Sequence, residues 1–282
     1  MYPSQFEYHR PATVKEAVEL LAGNPDAKVL AGGHSLIPAM KLRLAMPAAL
    51  VDIGRISELS GITVNGGAKI GAMTTYVELE DSAELASAFP VIKETVNVVG
   101  DPSVRSRGTL GGSLAHSDPA ADFTAVMLAL GASVSVTGPN GNREINLDDL
   151  FVDLLTTSME PEEILTAISI PNLDGAGAAY HKHAHPASGY AVAGVAAVIK
   201  VDGGKIASAR IAVTGAPSKA TRATAAEQAL IGKSANAETI AAAAAMAADG
   251  LDLNGDVYAS AEYRAQLVKV LARRAMMQAA GL

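Results

Sequence analysis

Apolar residues recur along this 282-residue chain with two periods, and the switches between them divide it into parts. From Thr13 to Gly23 the apolar positions Val14, Val18 and Leu21 keep helical spacing. Thr13 stands at an N-cap with Glu16 three residues on, and Gly23 is the stop, so the pattern predicts a short helix opened by a capping box. The run "AKVLAGG" (27–33) predicts a buried strand ending in a glycine turn. "ALVDIGRI" (49–56) predicts a second strand after an amphipathic stretch. Helix and strand therefore alternate over the first 55 or so residues.

Beyond Gly61 the period shortens to two. "ITVNGGAKIGAM" holds two alternating runs about Asn65-Gly66-Gly67, a hairpin signal, and a helix is predicted at "FPVIKETVNVVG" (89–100). Residues 101–123, "DPSVRSRGTLGGSLAHSDPAADF", are rich in Gly, Pro, Ser and Asp and lack periodicity. So long an irregular stretch is either a functional loop or a sign that elements within it are misassigned, and a helix is expected to begin at Pro119 and carry the apolar run "FTAVMLALG". A hairpin about Gly138-Pro139-Asn140-Gly141 and a strand at "EEILTAISIP" (162–171) follow. Residues 173–179, "LDGAGAA", mark the best domain boundary. The C-terminal third predicts a small antiparallel sheet with a turn at Asp202-Gly203-Gly204, then helices near 221–231, 236–249 and 260–280, a segregated α+β arrangement.

Composition narrows the function. A net charge of −7 opposes sequence-independent nucleic-acid binding, which needs a basic face. The absence of cysteine removes disulfides, thiolate nucleophiles and any iron–sulfur cluster held by this chain, so redox chemistry here would need another electron carrier. No stretch is long and apolar enough for a transmembrane segment and no signal peptide is evident, which predicts a cytoplasmic protein.

Two glycine segments carry the candidate chemistry. "AGGHS" (31–35) and "TLGGS" (109–113) each pair glycines, which let backbone N–H groups approach a ligand closely, with a hydroxyl; together they could clamp a diphosphate, whereas either alone reads as a structural turn. Neither is a P-loop or the Rossmann glycine motif. Asp118 and Asp122 are candidates to cap the following helix, and Asp122 equally to hold a ribose hydroxyl. His181, His183 and His185 share one strand face without carboxylate partners, which disfavours a metal site, and Lys182 projects from the opposite face. Arg105 and Arg107 read as phosphate contacts or as solvated surface. No serine–histidine–aspartate or paired-carboxylate set is evident.

Taken in order, "FEYHRPATVKEAVELL", "LAGGHSLIPAMKLRLAMPAALVDI", "IGAMTT", "DPSVRSRGTLGGSLAHSDPAADF" and "EEILTAISIP" resemble the FAD-binding medium subunits of molybdenum hydroxylases, the xanthine dehydrogenase family, and most closely those of aerobic carbon monoxide dehydrogenases. The resemblance implies an α+β fold. Residues 1–175 would form a two-subdomain FAD-binding domain of the vanillyl-alcohol-oxidase type (1–57 and 58–175). Residues 176–282 would form a C-terminal domain with a three-stranded antiparallel sheet and helices. It also implies non-covalent FAD on Ala31, Gly32, Gly33, His34, Ser35 and Leu36 and on Thr109, Gly111, Gly112 and Ser113. Asp122 would take the adenosine ribose, Leu165 and Lys182 would line the flavin, and Tyr190 would pack near the isoalloxazine ring.

The function so implied is electron transfer, without a catalytic residue on substrate in this chain. A large subunit would oxidise substrate at molybdenum–pterin, a small subunit would relay electrons through two 2Fe-2S clusters, and FAD here would pass them to quinone or another acceptor. The assembly would be a dimer of heterotrimers, a heterohexamer, associated with the inner membrane face through its partners. The alternatives are the medium subunit of an aldehyde, nicotine or purine-type hydroxylase, a self-contained flavin oxidoreductase, and a nucleotide-binding assembly subunit.

Overall fold

The computed structural model describes residues 1–282. Its first part is β1 (Glu7–His9), α1 (Val14–Gly23), β2 (Ala27–Leu30), α2 (Leu36–Lys41) and β3 (Ala49–Asp52). The strands form a parallel sheet in the order β1-β3-β2, and α1 buries Ala17, Val18 and Leu21 in a core shared with Val51. Thr13 Oγ1 accepts from Glu16 N at 3.2 Å, but the Glu16 carboxylate accepts from Ala12 N at 2.8 Å, so the predicted capping box is only half formed. The first glycine segment leaves the carboxyl end of β2, where open α/β sheets place their ligands.

The second part runs through β4 (Ile62–Asn65), β5 (Gly67–Gly71), α3 (Tyr76–Asp81), α4 (Ala83–Ala88), α5 (Pro90–Val96), α6 (Pro102–Arg105), α7 (Leu110–His116) and α8 (Asp122–Ala129). It continues with β6 (Ser133–Gly138), β7 (Gly141–Asn146), α9 (Leu147–Leu150), the short pair β8 (Phe151–Asp153) and β9 (Thr156–Thr157), and β10 (Ile164–Ile170). Its five-stranded sheet is antiparallel in the order β4-β5-β10-β6-β7, and both predicted hairpins lie in it. A complete capping box stands at Thr75 and Glu78, opening a helix that the periodicity did not announce.

The irregular stretch 101–123 is mostly helical. Asp101 Oδ1 accepts from Val104 N at 3.0 Å with Pro102 in the first turn of α6, and Thr109 Oγ1 accepts from Gly112 N at 3.1 Å to open α7. Side-chain caps and neighbouring backbone thus overcome the poor helix propensity of the two glycines. The following helix starts at Asp122 rather than at Pro119. Its N-cap is Ala121, and Asp118 accepts instead from Ala120 N at 2.8 Å, so neither aspartate caps α8 through its side chain.

The third part comprises β11 (Gly177–Ala184), β12 (Ala191–Asp202), β13 (Lys205–Thr214), β14 (Thr221–Arg222), α10 (Thr224–Leu230), α11 (Ala237–Ala245) and α12 (Ala261–Ala279). Three long antiparallel strands form the sheet as expected. The two-residue β14 extends it to four and takes the start of the helix predicted from 221, because Ala212 and Val213 pair with Arg222 and Thr221. Helices α10 to α12 cover one face. The other face lies on α8, all eight residues of which are buried, the polar Asp122 and Thr124 of its first turn included.

The C-terminal sheet grips α8 at both ends. Thr214 Oγ1 lies 2.6 Å from Pro119 O and 2.8 Å from Ala121 O, sharing its one proton between these carbonyls, and Arg210 Nη2 donates to Leu128 O (2.9 Å), a cation at the negative end of the helix dipole. The first turn of α8, which carries Asp122, is therefore placed by the C-terminal sheet.

Candidate flavin site

The two glycine segments meet at backbone level. A Cβ on Gly32 would run into the Arg107 carbonyl, with Gly108 Cα 3.1 Å away, so only glycine allows the two chains to touch. Gly33 adopts φ +79°, which turns the chain from β2 toward α2. The backbone N–H groups from Gly32 to Leu36, five in succession, donate to no acceptor within the chain; the first such bond in α2 is Ile37 N to Gly33 O. His34 takes part through its backbone, and its exposed ring has no hydrogen bond within the chain. Consecutive free amides are able to hold an anion.

The second segment differs. It is the first turn of α7, and its amides are already used: Leu110 N donates to Thr74 O (3.1 Å), Gly111 N to Ala72 O (3.0 Å), Gly112 N to Thr109 Oγ1, and Ser113 N to Thr109 O (3.1 Å). A Cβ on Gly111 would lie 2.6 Å from Ala72 Cβ, and one on Gly112 2.6 Å from the capping hydroxyl and 3.5 Å from Ala31 Cβ. Its glycines permit close packing, and its amides are bonded within the chain where those of the first segment are not. Thr109→Ala should lower unfolding free energy by about 1 kcal/mol through loss of the cap. Urea denaturation without cofactor checks this, and an unchanged midpoint would show that α7 is held by its backbone pairing alone.

Beneath the junction, Tyr76 stacks on Phe123 with ring centroids 5.3 Å apart at 15°, against Gly108. Burial pushes the Tyr76 phenol up to about 12, opposed by the neighbouring Ser113 hydroxyl; Asp122 and Tyr190 also face it. Tyr190 is half exposed. Burial raises its phenol, the Asp118 and Asp122 carboxylates add to the rise, and the Ser35 hydroxyl opposes it. Ser35 and Ser113 therefore face one neighbourhood with Asp122 and the two tyrosines.

Asp122 is 7% exposed and is held from the C-terminal sheet. Tyr180 Oη donates to its Oδ1 at 2.6 Å, and Lys182 Nζ lies 3.0 Å from both carboxylate oxygens while also donating to Gly189 O at 2.9 Å. Burial raises the Asp122 carboxyl above its ordinary value, against the opposing pull of Lys182 and then Tyr180. The structure thus joins Asp122, Lys182 and Tyr190 to the glycine junction. Leu165 sits in the apolar core with Leu110 and Leu114, opposite Val136.

Other candidates have separate duties. Arg105 donates to Val99 O at 3.2 Å and faces Glu80 at 3.6 Å, tying α6 to its neighbours. His181 bonds Gln278 at 2.9 Å, His183 meets the edge of Tyr263, and His185 packs on Tyr258, all toward the α12 side. Tyr76 and Tyr180 escaped the sequence reading. The Thr75–Glu78 cap was the available signal for the first; nothing local marks the second.

A run of free amides beside a buried lysine–aspartate pair and a stacked aromatic floor fits a dinucleotide cofactor. A family model described as the FAD binding domain in molybdopterin dehydrogenase matches residues 4–173, and one described as the CO dehydrogenase flavoprotein C-terminal domain matches 178–279. The chain is 42% identical over 286 residues to the carbon monoxide dehydrogenase medium chain of Afipia carboxidovorans, covering 99% of this chain and 98% of that one. It is 38% identical over 283 residues to the 6-hydroxypseudooxynicotine dehydrogenase complex subunit alpha of Paenarthrobacter nicotinovorans, covering 99% and 96%. The solved carbon monoxide dehydrogenase of Hydrogenophaga pseudoflava superposes with a TM-score of 0.96 at 40% identity, covering 99% of this chain and 98% of that chain. With both family models matched in order on this fold, the chain belongs to the FAD-binding medium subunits of the molybdenum hydroxylases, the family that includes the carbon monoxide dehydrogenase medium chains.

Proposed function

We propose that this protein is the FAD subunit of a molybdenum hydroxylase complex of the carbon monoxide dehydrogenase type. In that complex, electrons from 2Fe-2S clusters of a small partner would pass through FAD to quinone or another acceptor, and a large partner would carry molybdenum–pterin and choose the substrate. The observation that carries the reading is the run of five free amides from Gly32 to Leu36, which begins where Gly32 meets the Arg107–Gly108 backbone. Bound FAD supplies a redox centre able to accept and release electrons.

The residues of this chain bind and shield it. The Gly32–Leu36 amides hold the diphosphate; the hydroxyls of Ser35, Thr109 and Ser113 flank it; Asp122 takes a ribose hydroxyl on a lone pair left free by Tyr180 and Lys182. The stacked Tyr76 and Phe123 keep water from below, and half-exposed Tyr190 stands at the rim where the flavin ring would meet an acceptor. Leu165 supports the site from the core. With no cysteine, no cysteinyl link to FAD can form. A dimer of heterotrimers in the cytoplasm, associated with the membrane through its partners, completes the proposal; no helix is long and apolar enough to cross a membrane.

Titrating the purified chain with FAD tests the reading directly. The expected result is a yellow one-to-one complex that survives gel filtration; a folded chain that takes up no flavin refutes it.

A further inference from the structure

Tyr180 belongs to the apolar core that also holds Ala196 and Ala212 of the C-terminal sheet, but neither that packing nor any contact the FAD reading requires makes use of its hydroxyl. It is 7% exposed, and a buried phenol oxygen is costly without a partner. Its partner is Asp122 Oδ1, 58 residues away in sequence. Tyr180 and Lys182 share a face of β11 at i and i+2, so one strand delivers both a neutral donor and a cation to the same carboxylate. The seat for the phenol is built into the next strand. Gly194, paired with Lys182 near the start of β12, lacks the Cβ that would run into the Tyr180 hydroxyl and would also lie 2.9 Å from Thr214 Cγ2. Glycine weakens a central strand, so its use here goes with the space it leaves.

We propose that Tyr180 is a positioning residue of the flavin site, its phenol holding the Asp122 carboxylate ionised and turned onto Lys182 so that FAD meets a pre-set neutral pair. The inference rests on the FAD reading above. The titratable and charged groups facing Asp122 are Lys182 and Tyr180 from β11, Tyr76 from α3 and Tyr190 just before β12, with Asp118 beyond Tyr190. Tyr180 donates to the ionised form of Asp122, and such a bond favours that form. Its removal therefore moves the protonation of Asp122 to higher pH.

The test is the FAD dissociation constant of the full chain from pH 4.5 to 8. Tyr180→Phe should bind FAD about tenfold more weakly in the acid range, with the acid limb of the profile moved up by about one pH unit. In an Asp122→Asn background the same substitution should change affinity less than about twofold, because the carboxylate it acts through is gone. Incorporating 3-fluorotyrosine at position 180, a stronger donor of nearly the same shape, should move the limb the other way and guards against misfolding of the phenylalanine variant. An unmoved limb in both variants, or a full effect of Tyr180→Phe without Asp122, overturns the proposal. Failure of the unaltered chain to bind FAD would instead refute the reading on which it rests.

Discussion

Gly32→Val should abolish FAD binding, with a loss beyond a hundredfold in affinity, or about 3 kcal/mol. The added Cβ meets a backbone carbonyl, that of Arg107, which cannot rotate away as a side chain could. The first segment must then retreat from the Arg107–Gly108 backbone, which moves the five free amides. The overpacking should also lower stability by about 1–3 kcal/mol. Gly23→Ala is the control: nothing lies within 4 Å of its added Cβ at the end of α1, so flavin content should not change. Flavin absorbance per mole of folded protein decides the matter. Stoichiometric FAD in folded Gly32→Val would show that the close approach of the two segments is structural only.

Lys182→Met should cost about 3–5 kcal/mol in stability as well as FAD affinity, because it strands the Asp122 charge in the interior. The effect has a pH signature. Burial already raises the Asp122 carboxyl in the folded chain and Lys182 opposes the rise, so losing the lysine raises it further. A carboxyl with a raised folded value is most favourable to folding below its unfolded value, about 3.9, and that contribution is lost as pH climbs through the folded value. Urea denaturation should therefore find Lys182→Met closer to the unaltered protein at pH 5 than at pH 8. Lys182→Met with Asp122→Leu should recover much of the stability and none of the FAD affinity. Equal losses at both pH values, or a double variant no more stable than the single one, would contradict a buried charge as the cause.

Helix α1 was legible because its face, its Thr13 cap and its stop all lie within one short segment, and the hairpins about Asn65-Gly66-Gly67 and Asp202-Gly203-Gly204 were legible for the same reason. Residues 101–116 read as irregular because their helices depend on partners elsewhere, Ala72 and Thr74 for α7 and Val99 and Glu80 for Arg105 in α6. The paired glycines marked the cofactor segments but not their division of labour, since free and occupied amides look alike in a sequence.

By itself, then, the sequence determined the locally encoded elements, the glycine segments at a strand end and a helix start, and a chain without cysteine that any flavin must bind without a cysteinyl link. Only the tertiary structure decided that Gly32 abuts Arg107, that the first amides of α7 are spent on Thr74 and Ala72, and that Tyr180 and Lys182 reach across to Asp122. Those contacts join residues many tens of positions apart, where the energy comes from burial and from pairing polar groups away from water rather than from any preference of neighbouring residues.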